Sequence, residues 1–412
     1  MTLLRASVLF LLLTLPSLGA SAATWTSPST GSALELRYVA ASASAANQPA
    51  PTVVYLANLA APRVGTEADE SILASFSAAG CAVVVLDYAH HPGSTSPGLT
   101  RDFVQLRRDI QAKAFPFAQP ADPARIYVVP SGCRLLRDVV FYRDNADPAA
   151  PRTLAMDIIY PSQPRTPVGA VLEFSCDNAN RMGNFSLDFC TDVIVPAAAL
   201  LGHAAAMADH PVAAPYKGFD AMPDVARKVQ AAVRTLRAQR HTLPLNDRIV
   251  TVGFSRGSGM ALLAATAAHR PEFAGHGENS PDSADVQGSV VMSGRFTYLD
   301  LLPDDKMIPR YEKVWGPRAT HLATWREHGA LDYLTAPLTY PLFLTINATE
   351  SPDALHQMSV LRTRLTALGS PFIYAPEDEP RGHKMPLDPA VLTELFDYLD
   401  RRLSPPTPPP PT

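Results

Sequence analysis

Residues 249–257 read Ile249-Val250-Thr251-Val252-Gly253-Phe254-Ser255-Arg256-Gly257. The first four are apolar or β-branched and predict a buried strand, Arg248 to Val252. From about Ser258 to His269 the chain is dominated by small and apolar residues and predicts a helix. A G-x-S-x-G pentapeptide thus stands between a strand and a helix, the setting of a nucleophile elbow. Ser255 would occupy a sharp, strained turn, with flanking glycines letting neighbouring backbone pass close by. Its position at a helix N-terminus favours negative charge developing nearby. Ser255 is therefore the candidate nucleophile.

A serine hydroxyl is a weak nucleophile without a base. In chain order the base of such a site comes last, after an acid. Of the 11 histidines, His383 in Arg381-Gly382-His383-Lys384 fits best. It follows the last strand, Phe372 to Tyr374, and precedes the last helix, Pro389 to Leu403. His269 and His276 come too soon after the elbow helix. His321, His328 and His356 fall in an insertion or on helices. The acid should follow the strand Leu342 to Ile346, within Asn347-Ala348-Thr349-Glu350-Ser351-Pro352-Asp353.

With these features together, residues 139–403 resemble the α/β-hydrolase superfamily, especially its carboxylesterase and acetyl- or feruloyl-esterase-like branch. The elbow and the Gly382-His383 pair are the most specific parts of the likeness. In that branch the penultimate strand runs into a pattern like H-G-x-x-D-P. Here Asn347-Ala348 replaces the histidine–glycine pair, and Ser351 precedes the proline. Counting back from the next helix with a one-residue deletion puts Glu350 at the acid position, with Asp353 as the alternative. The resemblance implies an oxyanion hole built from the Arg256 amide and one from the loop after the strand Val168 to Phe174. The family's glycine-rich segment is replaced by Ser175-Cys176-Asp177-Asn178, so the second donor is the N–H of Cys176 or Asp177. An arginine directly after the nucleophile is also a feature of glucuronoyl esterases, where it helps to stabilise the oxyanion, although those carry cysteine where Phe254 stands.

The composition suits such a fold. The chain has 412 residues, 47% hydrophobic and 18% charged, enough to bury a large core and unlike a disordered chain. A net charge of −4 offers no general attraction to nucleic acid or anionic membranes. Residues 1–23 read as an export signal: Arg5, an apolar run from Ala6 to Leu15, then Ala20-Ser21-Ala22 as a cleavage site. No apolar run is long enough to span a membrane. Export makes disulfides plausible, paired as Cys81–Cys133 and Cys176–Cys190. No metal-ligand spacing is seen, and no cofactor is expected.

Continuous apolar strands alternating with helices predict an α/β fold, a doubly wound mostly parallel sheet with an N-terminal α/β extension. The expected division is a signal (1–23), an N-terminal module (24–130), a hydrolase domain (131–403) and a proline-rich tail (404–412). The 300–340 stretch, rich in Pro, Trp and charge, reads as an insertion that could cover a site. The expectation is a secreted or periplasmic serine esterase acting on a small-molecule or polysaccharide-linked ester, such as an acetyl or feruloyl ester. The alternatives are a silent exported binding protein on the same scaffold, or a prolyl-oligopeptidase-like peptidase.

Overall fold

The computed structural model describes residues 23–42, 50–60, 67–88, 96–112, 121–145, 151–174, 176, 190–211 and 222–405. The export-signal reading, apart from Ala23, and most of the proline-rich tail lie outside these residues.

The chain begins with an antiparallel hairpin, β1 (Ala23–Thr26) and β2 (Ala33–Val39). Alternating elements follow: β3 (Ala50–Ala60), α1 (Asp69–Ala78), β4 (Ala82–Asp87), α2 (Ser96–Gln111) and β5 (Ala121–Ser131). They form a five-stranded sheet of order β1-β2-β4-β3-β5, parallel across β4, β3 and β5. Its central strands are apolar on both faces because both faces are covered. Val53 and Val83 face one layer of core, and Val54 and Val84 face another with Phe103 and Leu106 of α2.

After Gly132 the chain enters a second sheet through β6 (Cys133–Asp144) and β7 (Arg152–Pro161), an antiparallel pair. There follow β8 (Val168–Phe174), α3 (Cys190–Leu200), β9 (Ala204–Ala208), α4 (Met222–Ala238), β10 (Leu245–Phe254), α5 (Arg256–Thr266) and β11 (Gly288–Met292). Two short helices, α6 (Ile308–Trp315) and α7 (Leu322–Glu327), precede β12 (Leu342–Thr345), α8 (Pro352–Ala367), β13 (Phe372–Tyr374) and α9 (Pro389–Leu403). The eight strands are ordered β13-β12-β11-β10-β8-β9-β7-β6. Every neighbouring pair from β13 to β9 is parallel, and β7 and β6 close the edge antiparallel. The N-terminal module thus brings a sheet of its own rather than more strands for the large one.

Period-two alternation sorts the side chains of this sheet. Ala170, Leu172 and Phe174 of β8 pack with α4, α5 and α8 on one face. Val171, with Val250, Val252 and Phe254 of β10, packs with α3, α9 and the smaller sheet on the other. Each fully buried Val, Leu or Phe contributes about 1.5–3 kcal/mol to folding. The strand order reverses between β8 and β10: the chain steps outward from β8 to β9, then crosses back to β10 and on to β13. That switch point opens a crevice beyond the carboxyl ends of β8 and β10, where open α/β sheets bind ligands. Ser255 begins the loop there.

The disulfide expectation is not met. Cys81 and Cys133 are thiols, each packed as a small apolar side chain in the layer shared by both sheets. Burial pushes the Cys133 thiol up to about 12 and raises that of Cys81 as well. Cys176 is also a thiol, and the side chain of Cys190 lies outside the described residues. Among the described residues no helix is long and apolar enough to cross a membrane.

Candidate active site

β10 ends at Phe254 and α5 starts at Arg256, leaving one residue, Ser255, to make the turn. Its backbone pays for that sharpness with φ 54° and ψ −120°, a conformation rare for a residue with a side chain. Two glycines make the turn possible. A Cβ on Gly253 would sit 2.1 Å from the Gly257 carbonyl oxygen, and one on Gly294 would sit 2.7 Å from the Ser255 carbonyl. The Ser255 N–H donates to Met292 O at 3.0 Å, fixing the elbow to the end of β11.

His383 lies in the loop between β13 and α9. Its Nε2 is 2.9 Å from Ser255 Oγ, and its Nδ1 is 2.7 Å from Glu350 Oε2. The imidazole also rests against the buried Phe254 ring, centroids 5.0 Å apart. Glu350 stands in the loop after β12, and its carboxylate is fully shielded from solvent. Its second oxygen accepts the Ser351 N–H at 2.7 Å. Burial alone would raise the Glu350 pKa. The hydrogen bonds from His383 and Ser351 outweigh it and hold the carboxyl below the ordinary glutamate range. At neutral pH this side chain is an anion aimed at the imidazole.

Of the two acids weighed from sequence, Glu350 is the one brought to the histidine. Asp353, in the first turn of α8, faces Arg295 instead, at 3.6 Å. Burial and the neighbouring Asp305 raise its pKa. The Arg256 amide belongs to the first turn of α5, at the positive end of that helix. Cys176 lies just beyond the end of β8, while Asp177 lies outside the described residues.

Ser255, His383 and Glu350 open onto a cavity of about 390 Å³. The 300–340 stretch does line it, through Met307, Tyr311, Trp315, His328 and Ala330, with Tyr298 just before. Tyr311 and Trp315 stack at 4.7 Å with rings 3° from parallel, and His328 stacks on Trp315 at 4.0 Å. Burial lowers the His328 pKa to about 4, so this ring is neutral and acts as part of an apolar wall. Arg295, over the Tyr311 ring, is paired with Asp305 at 2.6 Å. Sequence reading marked this stretch as one that could cover a site but not which of its residues form the wall, because the aromatics of so irregular a segment carry no periodic signal. It also missed Ser293, buried at the end of β11 with φ 43° and facing the same cavity. Among the described residues no cluster of His, Cys, Asp and Glu could hold a metal ion.

No protein-family profile matches the chain, and no curated protein matches it. Similar solved structures exist. One, described as a bifunctional GH43-CE of Bacteroides eggerthii, superposes with a TM-score of 0.52 at 18% identity, covering 65% of this chain. This chain spans only 35% of that protein's length. An esterase of the planctomycete Thermogutta terrifontis matches at TM-score 0.49 and 14% identity, over 67% of this chain and 96% of its own. A truncated carbohydrate esterase from gut microbiota matches at TM-score 0.49 and 15% identity, over 60% of this chain and 90% of its own. At such identities the likeness to the Bacteroides eggerthii protein is one of fold: a mixed α/β architecture of the kind found in that structure.

Proposed function

We propose that this chain is a serine carboxylic-ester hydrolase of the α/β-hydrolase type, with Ser255, His383 and Glu350 as its triad. The observation that carries the reading is the unbroken run from Ser255 Oγ through both imidazole nitrogens to the Glu350 carboxylate, at 2.9 and 2.7 Å. That run meets a cavity at the switch point of a parallel sheet. The shared fold with the Bacteroides eggerthii structure supports the architectural part of the reading.

In this mechanism Ser255 Oγ attacks the ester carbonyl carbon while His383 Nε2 takes its proton. Buried Glu350 keeps Nδ1 protonated, so that Nε2 is the free base, and it stabilises the imidazolium that forms. The tetrahedral oxyanion is stabilised by the Arg256 amide and by an amide of the 176–177 loop. Collapse expels the alcohol, which takes its proton from His383. A water molecule, activated by His383, then hydrolyses the acyl-serine and restores the free hydroxyl.

The export reading of residues 1–23 supports a secreted or periplasmic setting, and with it an extracellular ester such as an acetyl or feruloyl group on a polysaccharide. Within this proposal residues 131–403 are the hydrolase domain, 24–130 a supporting module and 404–412 a tail. A fluorophosphonate probe tests the nucleophile: it should label the wild type and not Ser255→Ala. Absence of labelling in folded wild type would overturn the enzyme reading. Glu350→Gln should lower kcat on an acetyl ester by about 10³–10⁴-fold, whereas Asp353→Asn should stay within a few-fold.

A further inference from the structure

Where hydrolases of the resembled branch carry a histidine–glycine pair after this strand, the present chain carries Asn347-Ala348. Asn347 is fully buried, and its amide is saturated. Its Nδ2 donates to Glu377 Oε2 at 2.9 Å and to the Glu379 carbonyl. Its Oδ1 accepts from Thr349 N at 2.9 Å, from the Thr349 hydroxyl at 2.7 Å and from Arg381 N at 3.3 Å. The Thr349 hydroxyl oxygen in turn accepts from Gly382 N at 3.0 Å.

Glu377 completes the ring from the other side. It is also fully buried, and its Oε1 accepts from Leu387 N and Asp388 N, both at 2.7 Å. The main chain joins the same two residues: Ala348 N donates to Glu377 O, and Glu377 N to Ile346 O, each at 2.9 Å. The loop that carries His383 is therefore tied at 379, 381 and 382 before the histidine and at 387 and 388 after it. Every one of those ties ends on Asn347, Thr349 or Glu377. The Asn347 carbonyl also accepts the N–H of Glu350 at 3.1 Å. One residue thus belongs to the turn presenting the acid and to the brace of the loop presenting the base.

We propose that Asn347 and Glu377 are a buried positioning pair that sets the register of His383 against Glu350 and Ser255; this rests on the triad reading above. Neither residue touches the reacting atoms. Their work is to keep two loops from sliding past each other, a motion to which proton transfer is sensitive, since a misplacement of about 1 Å can cost about 10²-fold. Burial of the Glu377 carboxyl group is tolerable because its two oxygens together take three directed hydrogen bonds and Arg381 Nε lies 3.8 Å from Oε2.

The test compares Asn347→Ala, Asn347→Asp, Glu377→Gln and the double variant Asn347→Asp/Glu377→Gln with the wild type. For Asn347→Ala the expected result is a kcat fall of about 10²-fold on an acetyl ester with KM within threefold. Asn347→Asp sets two carboxylates face to face, and Glu377→Gln sets two amide donors face to face. In the double variant the amide introduced at position 377 donates to the carboxylate introduced at position 347. The carbonyl oxygen of that amide still accepts from Leu387 and Asp388. Net charge is unchanged; the Glu379 carbonyl loses its donor, and the 3.8 Å ion pair between Arg381 Nε and Glu377 Oε2 is lost. The double variant should therefore exceed the product of the single effects by about tenfold.

The proton on His383 Nδ1, read by NMR, is the second measurement. Its far-downfield resonance, the mark of a short bond to Glu350, should weaken in Asn347→Ala and return in the double variant. A folded Asn347→Ala with wild-type kcat and an unchanged resonance would overturn the pair, as would single effects that multiply without coupling. If the wild type fails to react with fluorophosphonate, the hydrolase reading falls, while the His383 resonance still decides whether Asn347 positions the ring.

Discussion

Gly253→Ala is the sharpest single test of the elbow. The added methyl would lie 2.1 Å from Gly257 O, 2.2 Å from Gly257 C and 2.6 Å from Ser258 N. All three are backbone atoms of the first turn of α5, so no side chain can swing aside. Ordinary carbon contacts begin near about 3.5 Å, and even a tight compromise requires the strand end and the helix start to separate by about 1 Å. Overpacking of this kind costs about 1–3 kcal/mol of stability. The same displacement carries Ser255 away from His383 and moves the Arg256 amide, for an expected kcat loss of about 10²-fold. The assay is steady-state hydrolysis of an acetyl ester, paired with the second-order rate of fluorophosphonate labelling and a thermal melt. Gly259→Ala on the same helix is the control, since its methyl would meet only the Arg295 carbonyl, at 3.2 Å. A Gly253→Ala protein with kcat within threefold of wild type would refute the packing argument. So would equal losses in the two variants.

Met307→Ala removes apolar bulk from the cavity wall, and kcat/KM ratios should move toward longer acyl esters by about tenfold; an unchanged ratio across a chain-length series would mean that the acyl group does not run along this wall. His328 has its folded pKa lowered by burial to about 4, so the unfolded chain binds a proton from about pH 6.5 downward while the folded one does not. Its contribution is therefore a loss of stability as pH falls from about 6.5 to 4, and His328→Phe, which keeps a ring on Trp315, should flatten that part of a Tm-against-pH curve. Because Cys81 and Cys133 are thiols, denatured but unreduced protein should be alkylated at both positions. A disulfide between them would block that labelling and would contribute about 2–5 kcal/mol that a reductant removes.

Much of the large sheet was legible as runs of β-branched and aliphatic residues, because a strand covered on both faces must be apolar throughout. β8, β10, β11, β12 and β13 all stand where such runs occur. β9 escaped notice. Its sequence Ala204-Ala205-Ala206-Met207-Ala208 has little intrinsic preference for a strand, and only its place between β8 and β7 makes it one. α3 was missed as well: it carries Pro196 and owes its position to packing against α2 and the smaller sheet. That the N-terminal module forms its own sheet was equally invisible, since strand order is set by which edges meet in space.

At the site, the sequence by itself determined the elbow. Gly253, where a Cβ would meet the Gly257 carbonyl, stands between a strand and a helix and leaves room for a serine at φ 54°. That requirement is local and written in neighbouring positions, whereas Gly294 is brought against Ser255 by the fold. The place of His383 after the last strand followed from chain order in the same way. Tertiary structure decided which carboxylate meets His383, because Glu350 and Asp353 are three residues apart and nothing local separates them. One is turned to His383 while the other enters α8 beside Arg295. It also decided the brace of Asn347 and Glu377 and the aromatic wall of the cavity. Those groups are distant along the chain, and their hydrogen bonds and contacts exist only once the parallel strands have brought the loops to one edge of the sheet.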